Sequence, residues 1–267
     1  MLFSATPCLE YVPFNKILSE YTIYDAFCDD VIVPPKIKWV DSKETLTNKE
    51  WVSCLFQIIM MLITYQKMFD FTHNDLHTNN VMFKKTDKKY IIYKYNNEYY
   101  KVPTFGRIFK IIDYGRSIYK FKGKLFCSDS YSSKGDAASQ YNFGPYINKN
   151  KPTLLPNKSF DLCRLGCSLF DYFIEDLDDI DTYDDPLSKL IISWCMDDKG
   201  RNILYKNNGE ERYPDFKLYK MIARTVHNHL PQKQLDNPLF YKYITKRKKI
   251  RKKTKILNID EMPVYIN

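Results

Sequence analysis

Hydrophobic and polar positions along the chain divide it into an apolar helix, a strand-rich centre and a helical second half. The most apolar run extends from Trp51 to Tyr65 and predicts a buried helix over about 48–68. Thr47 with Glu50 forms a capping-box pattern at its start. The run falls short of the roughly 18 apolar residues that a membrane span needs, so we expect no span.

Segments rich in β-branched and aromatic residues follow this helix. They predict strands at 81–83 (VMF), 88–95 (KKYIIYKY), 98–103 (EYYKVP) and 107–113 (RIFKIID), with a turn at Asn96-Asn97. Residues 116–158 lack periodicity and predict a long loop. Beyond 159 the pattern is helical, in DLCRLGCSLFDYF, PLSKLIISWCM and PDFKLYKMIARTVHNHL. Strands followed by helices indicate an α+β fold.

Composition limits the class of protein. The chain has 267 residues, of which 44% are hydrophobic, so it can bury a sizeable core and is not globally disordered. Its seven cysteines include no CxxC pair, which predicts a reducing compartment and neither a disulfide framework nor a zinc site. The N-terminus has no basic and apolar leader pattern. We therefore expect an intracellular protein, cytoplasmic or nuclear, without a signal peptide.

The net charge of +9 is concentrated in one segment, KRKKIRKKTK at Lys246–Lys255, which holds eight basic residues and no acidic one. The rest of the chain is nearly neutral. This asymmetry predicts a domain over 1–240 and a basic C-terminal arm over 241–267. The arm is interpreted either as a solvated tail, as a nuclear-localisation signal or as a contact for nucleic acid or an acidic partner.

The candidate chemistry lies in the stretch HNDLHTNN, residues 73–80, and at the end of the last predicted strand. Asp75 and Asn80 are five residues apart in one loop, and Asp113 ends an apolar strand before Tyr114-Gly115. A carboxylate and a carboxamide on neighbouring strand ends supply the oxygen ligands that Mg²⁺ prefers. A further carboxylate, that of Asp75, could accept a proton from a hydroxyl, so the set suits phosphoryl transfer. Gly115 is expected to adopt a backbone conformation that other residues avoid.

These motifs resemble those of eukaryotic-type protein kinases. HNDLHTNN is similar to the catalytic loop H-x-D-L-x-x-x-N, and DYG at 113–115 looks like the metal-binding DFG element. FDLCRLGCSLF and LIISWCMDDKGR resemble helices of the kinase C-lobe, and CLEYV resembles the last N-lobe strand and hinge. The matches follow the family order over about 7–205. His77 and the long hairpin ending VPTFGRIFKIIDYG are similar to haspin-like kinases and to kinases of large DNA viruses.

The resemblance implies a mainly helical C-lobe with a β-hairpin insert and an N-lobe reduced to a last strand and hinge at 1–12. It implies transfer of the γ-phosphate of ATP to a Ser/Thr hydroxyl of a protein substrate, with Mg²⁺. It also implies residue roles: Asp75 as the proton acceptor, Asn80 and Asp113 as Mg²⁺ ligands, Met82 and the backbone of Glu10–Val12 around adenine, His73 as a prop of the loop, and Asp161 as its brace.

The chain also departs from the kinase pattern. No glycine precedes Gly106, so a Gly-rich phosphate loop is missing from this sequence. Three explanations stay open: a longer or split chain supplies the N-lobe, a partner supplies it, or the chain is a degenerate kinase that is weak or inactive alone. Asn74 stands where kinases carry an arginine, so we expect no phosphorylation-dependent switch there. Arg201 has no A-P-E glutamate to pair with.

Two alternative functions remain open from the sequence. The first is a pseudokinase scaffold that binds partners through the C-lobe and the basic arm. The second is a small-molecule phosphotransferase, because aminoglycoside and choline kinases carry a similar H-x-D-L-H-x-x-N loop. The hairpin and the FDLCRLG helix favour a protein kinase over the second alternative.

Overall fold

The computed structural model describes residues 46–141, 154–177 and 180–267, so the strand and hinge predicted at 1–12 lie outside the described residues. The helices in this part of the chain are α1 (Asn48–Phe69), α2 (Phe160–Phe173), α3 (Pro186–Trp194), α4 (Lys217–Thr225), α5 (Pro231–Gln234) and α6 (Pro238–Tyr241). The strands are β1 (Val81–Lys85), β2 (Tyr90–Tyr95), β3 (Glu98–Pro103), β4 (Arg107–Ile111), β5 (Tyr119–Phe121), β6 (Lys124–Phe126), β7 (Ile244–Thr245) and β8 (Leu257–Asn258). The fold is mixed α/β with small sheets.

Helix α1 is the centre of the core, as its apolar run predicted. The Thr47 side chain accepts a hydrogen bond from the Glu50 backbone N–H while the Glu50 carboxylate accepts from Thr47, so the predicted capping box is present. The helix ends at Asp70, which adopts the left-handed conformation with φ 52°. By length and composition α1 could cross a membrane, but 94% of its apolar window is buried inside the fold, as in a core helix.

Two antiparallel pairs of strands cover α1. Strands β1 and β4 form a two-stranded ribbon in which Val81 faces Ile111. Strands β2 and β3 form the predicted hairpin, and Asn96 and Asn97 both take positive φ in its turn (49° and 62°). Asparagine tolerates this conformation better than most residues, which makes the two-residue turn possible. Strand β7 extends this sheet beside β3, and β8 extends it beside β2.

Residues 241–267 pack on the fold instead of extending from it as a free arm. Strands β7 and β8 join the hairpin sheet, and the side chains of Tyr243 and Ile259 are buried in the core. The Tyr265 ring stacks on that of Phe69 with centroids 5.4 Å apart. The interpretation as a solvated tail is therefore wrong for the flanks of the basic segment, because apolar residues interspersed with the charges anchor them.

Two element boundaries also differ from the predictions. The predicted loop 116–158 contains the short β5–β6 hairpin, in which the rings of Tyr119 and Phe126 stack 5.3 Å apart. The predicted helix 214–230 shortens to α4, because its end is capped from outside. The Asn157 side-chain amide donates to the backbone carbonyl of Val226 at 2.6 Å. Local periodicity carries no information about such a distant cap.

The contact between α2 and α3 depends on Gly166 and on three small thiols. Cys163, Cys167 and Cys195 are free and buried, so the prediction of Cys163 and Cys167 as core residues is confirmed. A Cβ atom on Gly166 would lie 2.8 Å from the Cβ atom of Trp194 and 3.4 Å from the Cys195 sulfur.

Cys127 lies outside this contact and is disulfide-bonded, which the absence of a CxxC pair did not predict.

Replacing Gly166 by alanine is expected to lower the free energy of unfolding by about 1–3 kcal/mol, since overpacking here outweighs the better helix propensity of alanine. Urea unfolding followed by circular dichroism measures the change. Lys189→Ala, at an exposed position of α3, is the control and should change the free energy by less than about 0.5 kcal/mol. An unchanged or higher stability of Gly166→Ala would show that α2 and α3 do not pack this closely.

Candidate active site

The β1–β4 ribbon brings the two predicted metal ligands to the same end. Asn80 immediately precedes β1, and Asp113 follows β4 by two residues. The antiparallel register continues past the strands, because the Ile112 backbone N–H donates to the Asn80 carbonyl at 2.9 Å. The two side chains that lie 33 positions apart in the sequence therefore belong to neighbouring chain segments.

Asp113 is exposed and adopts the left-handed conformation, with φ 60° and ψ 70°. Its carboxylate accepts a weak hydrogen bond from the Gly115 backbone N–H at 3.4 Å. The expectation of an unusual φ at Gly115 is wrong, since the positive φ belongs to Asp113 itself. Gly115 is instead favoured by space: a Cβ atom there would lie 3.2 Å from an Asp113 carboxylate oxygen.

Asn80 is buried, and its side-chain amide is oriented by other residues of the loop 73–80. Its nitrogen donates to the Asp75 backbone carbonyl at 2.9 Å and lies 3.3 Å from the His77 Nε2 atom. Both of these contacts use the amide nitrogen, so the carbonyl oxygen is the atom available for a metal ion. The donor set of Asn80 and Asp113 therefore fits Mg²⁺.

No group of three or more His, Cys, Asp or Glu side chains is placed to hold a metal within residues 46–141, 154–177 and 180–267. A protein-only cage is not what Mg²⁺ requires, because this ion is commonly held by one or two side chains together with water and the substrate's phosphates. A pair such as Asn80 and Asp113 meets that requirement.

The carboxylate of Asp75 is held from one side. Its Oδ1 atom accepts a hydrogen bond from the Tyr219 hydroxyl at 2.7 Å. The same oxygen lies 3.6 Å from the Arg116 guanidinium and 3.8 Å from the His77 Nε2 atom. Burial raises the pKa of the Tyr219 hydroxyl, which keeps it protonated as a donor. These contacts orient the carboxylate and leave its other oxygen for an incoming group.

His73 joins the loop to the segment that carries Asp113. Its Nε2 atom lies 2.9 Å from the Ile112 carbonyl, and its Nδ1 atom accepts from the Asp75 backbone N–H at 3.3 Å. Only a neutral ring with the proton on Nε2 satisfies both contacts. Complete burial lowers the pKa of His73 to about 4, which agrees with a neutral ring at physiological pH. This geometry matches the propping role that the resemblance implied.

Asp161, in the first turn of α2, braces the same loop. Its two carboxylate oxygens accept from the backbone N–H groups of His73 and Asn74, both at 2.9 Å. Burial raises the pKa of Asp161 to about 7, although these two hydrogen bonds act in the opposite direction. Further along α2, the Ser168 hydroxyl accepts from the Thr78 backbone N–H at 3.1 Å. Helix α2 thus holds the loop at two points, first at His73 and Asn74 and then at Thr78.

Asn74 occupies the position at which kinases carry an arginine. It is buried with φ 64°, and its side-chain amide donates to the Arg116 backbone carbonyl at 3.2 Å. The Tyr141 hydroxyl donates to its side-chain oxygen at 3.0 Å. Neutral hydrogen bonds therefore connect the loop 73–80 to the segment after Asp113 without a phosphate group.

The sequence did not predict a cluster of two aromatic rings and two arginines beside Asp75. The rings of Phe216 and Tyr219 stack 5.0 Å apart, and the Arg116 guanidinium lies 5.6 Å from each ring centroid. The Arg164 guanidinium lies 5.0 Å from the Tyr219 ring, and Arg116 also pairs with Asp136. The position of Arg116 directly after the DYG motif could have identified it as a site residue from the sequence. No sequence pattern near Tyr219 indicates its contact with Asp75.

The remaining predicted site residues have mixed outcomes. Met82 lies in β1 and is buried, as a pocket floor requires, whereas Glu10 and Val12 lie outside the described residues. Arg201 is not without an acidic partner: it forms two hydrogen bonds to the Asp197 carboxylate, at 2.6 and 2.9 Å. Asp197, four residues earlier in the chain, thus forms the ion pair with Arg201 that a glutamate forms in the kinase pattern.

Part of the chain is similar to serine/threonine-protein kinases. Over 124 residues it is 34% identical to a probable serine/threonine-protein kinase of Dictyostelium discoideum, covering 42% of this chain and 10% of that protein. Over 90 residues it is 36% identical to the serine/threonine-protein kinase haspin of Mus musculus, covering 32% and 12%. Over 124 residues it is 30% identical to a putative serine/threonine-protein kinase of Acanthamoeba polyphaga mimivirus, covering 38% and 31%.

The chain therefore spans about a tenth to a third of the length of these curated relatives. No protein-family model matches it. What these similarities establish is a kinase-like relationship for part of the chain, at the level of serine/threonine kinases and with a viral kinase among the relatives.

Proposed function

We propose that this chain contains the catalytic region of a protein kinase that transfers the γ-phosphate of ATP to a serine or threonine hydroxyl, with Mg²⁺. One observation carries the proposal: hydrogen bonds connect Asp75, Asn80 and the residue before Asp113 at one end of the β1–β4 ribbon. Asn80 contacts the Asp75 backbone directly, and the residue before Asp113 bonds to Asn80. Metal ligands beside a proton acceptor are the parts that phosphoryl transfer needs from a protein.

Each residue has a defined task in this proposal. The free oxygen of Asp75 accepts a hydrogen bond from the acceptor hydroxyl and takes its proton as the oxygen bonds to the γ-phosphorus and the bond to ADP breaks. Asn80 and Asp113 would hold Mg²⁺, which neutralises charge on the phosphates when bound. Tyr219 keeps Asp75 oriented. Met82 would lie under adenine, with the backbone of Glu10–Val12 at its edge.

A protein hydroxyl is preferred here over a small-molecule acceptor. The three curated relatives described above are named serine/threonine-protein kinases. The FDLCRLG segment forms helix α2, which braces the catalytic loop through Asp161 as the kinase resemblance implies. The same two observations support the proposal that the fold is a kinase C-lobe with a β-hairpin insert, which here is β2–β3.

Magnesium-dependent binding of ATP tests the metal site. At about 100 times its Kd, Mg·ATP should stabilise the wild-type chain by roughly 2.7 kcal/mol, which raises the thermal midpoint by about 5–10 °C. Asp113→Asn should abolish the part of this shift that requires Mg²⁺, because an amide is a weaker ligand without charge. Differential scanning fluorimetry with ATP, with and without Mg²⁺, measures both.

Asp184→Asn is the matched control, since it makes the same chemical change on a side chain that is 99% exposed and pairs only with Lys189 on the surface. It should keep the full magnesium-dependent shift. If the wild-type chain shows no shift at any concentration of Mg·ATP, the proposal fails, and a scaffold that binds partners without nucleotide becomes the better hypothesis.

A further inference from the structure

A cavity of about 460 Å³ lies between the β1–β4 ribbon and the hairpin sheet, and neither Asp75, Asn80 nor Asp113 lines it. Its base consists of buried apolar and aromatic side chains, among them Met61, Ile92 and Phe109. Its rim contains five lysines, which are Lys84, Lys85, Lys88, Lys110 and Lys255. A volume of this size accommodates a small organic group such as a nucleotide base and its sugar.

The charged side chains around this cavity are all positive. None of the described residues that line it is acidic, and Asp87 adjoins Lys88 in the β1–β2 turn without lining it. Lys85, Lys88 and Lys255 are exposed, and no ion pair is formed by any of the three within the described ranges. Their charges therefore face solvent around an apolar base.

The basic segment Lys246–Lys255 continues this surface. It runs from β7 to β8, so both of its ends are fixed to the hairpin sheet, and Ile250 is buried as an anchor in its middle. All eight of its basic side chains are exposed. Its last residues, Thr254 and Lys255, form part of the cavity wall. Because these positive charges are held close together, they create a strong positive electrostatic potential, which attracts polyanions.

We propose that this basic surface, the segment Lys246–Lys255 together with the lysine-rimmed cavity, binds single-stranded nucleic acid. Phosphates would lie along the lysines while one base enters the cavity. Tyr90, at the cavity rim with 46% of its surface exposed, has the Lys101 ammonium 4.1 Å from its ring centroid, so a base would stack on the ring face opposite Lys101. Sequence-tolerant binding of single strands combines a positive groove with such aromatic contacts. An acidic peptide would match the charge, but it would need an aromatic residue to fill the cavity, whereas every nucleotide carries a planar base.

Fluorescence anisotropy of the full chain with labelled oligothymidylate and oligouridylate of about 20 nucleotides tests the proposal at several salt concentrations. The variant Lys85→Ala/Lys88→Ala/Lys255→Ala should weaken binding and lower the slope of log K against log salt by about 2, at roughly 0.7 per lost phosphate contact. Tyr90→Ala should weaken binding about tenfold with an unchanged slope, because it removes stacking but no charge. Comparing the two oligonucleotides separates DNA from RNA as the ligand.

The control Lys189→Ala/Lys199→Ala/Lys206→Ala removes three exposed lysines that do not line the cavity, so it changes the net charge equally. It should leave affinity within about twofold of wild type. Equal losses in both triple variants would overturn the proposal, since net charge alone would then explain binding. Polyglutamate of similar charge binding as tightly as the oligonucleotides would also overturn it, in favour of an acidic protein partner. Neither result bears on the kinase proposal, whose residues are left intact.

Discussion

Replacing Asp75 by asparagine is expected to lower the rate of phosphate transfer by about 100- to 10,000-fold, the range for loss of a general base or its positioning. This corresponds to about 3–5 kcal/mol of transition-state stabilisation. The amide has nearly the same size and can still accept from the Tyr219 hydroxyl, but it cannot take a proton from the acceptor. The contact of Asn80 is made to the Asp75 backbone and is unaffected by the change.

The magnesium-dependent thermal shift should consequently survive in Asp75→Asn, whereas it disappears in Asp113→Asn. Radiolabelled ATP with a degenerate library of serine- and threonine-containing peptides measures the transfer, and Asp184→Asn serves again as the control. Transfer by Asp75→Asn at more than a third of the wild-type rate would remove Asp75 from its proposed role. Absence of transfer by the wild-type protein to every library member would contradict the proposed activity itself.

The second large effect concerns stability: Asp161→Ala should lower the free energy of unfolding by about 3–5 kcal/mol. The carboxylate is fully buried and accepts from the backbone N–H groups of His73 and Asn74. Alanine leaves both donors buried without a partner, at about 1–3 kcal/mol each, and adds a small cavity. Chemical unfolding in urea measures the loss. The matched exposed change, Asp184→Ala, should alter stability by less than about 0.5 kcal/mol.

Asp161→Asn adds a pH test of the same buried group. Burial raises the pKa of Asp161 to about 7 in the folded protein, above its ordinary value of 3.8. A raised pKa means that its contribution to stability is complete below the unfolded pKa and is lost as the pH rises through about 7. Asparagine does not titrate, so the stability of wild type relative to Asp161→Asn should fall between pH 4 and 7. A difference that rises over this range would show that Asp161 is ionised when folded.

Much of the local structure followed from the sequence alone. The apolar run and the Thr47–Glu50 pattern predicted helix α1 and its cap, and Asn96-Asn97 predicted the hairpin turn. The predictions for β1 to β4 were correct to within about two residues, whereas the short strands β5, β6, β7 and β8 were not predicted. These features depend on side-chain periodicity, capping and turn conformation, which act over a few neighbouring residues and can be read from them.

The candidate site was only partly predictable. The sequence suggested that Asn80 and Asp113 lie near each other, because each stands at the end of a predicted strand, whereas the pairing of β1 with β4 came from the structure. The Tyr219 hydroxyl on Asp75 joins residues 144 positions apart, and the space that Gly115 leaves for Asp113 depends on the geometry of one turn. Neither leaves a local pattern, since both arise from how separate elements pack.

The sequence by itself determined the apolar core helix, the hairpin, the composition of the catalytic loop and the position of the basic run. Only the tertiary structure decided that this run is fixed at both ends to the hairpin sheet and shares a cavity with Lys85 and Lys88. It also decided that the Tyr219 hydroxyl orients the Asp75 carboxylate. The physical reason is that local conformation depends on adjacent residues, whereas such contacts depend on which buried faces pack together across the whole chain.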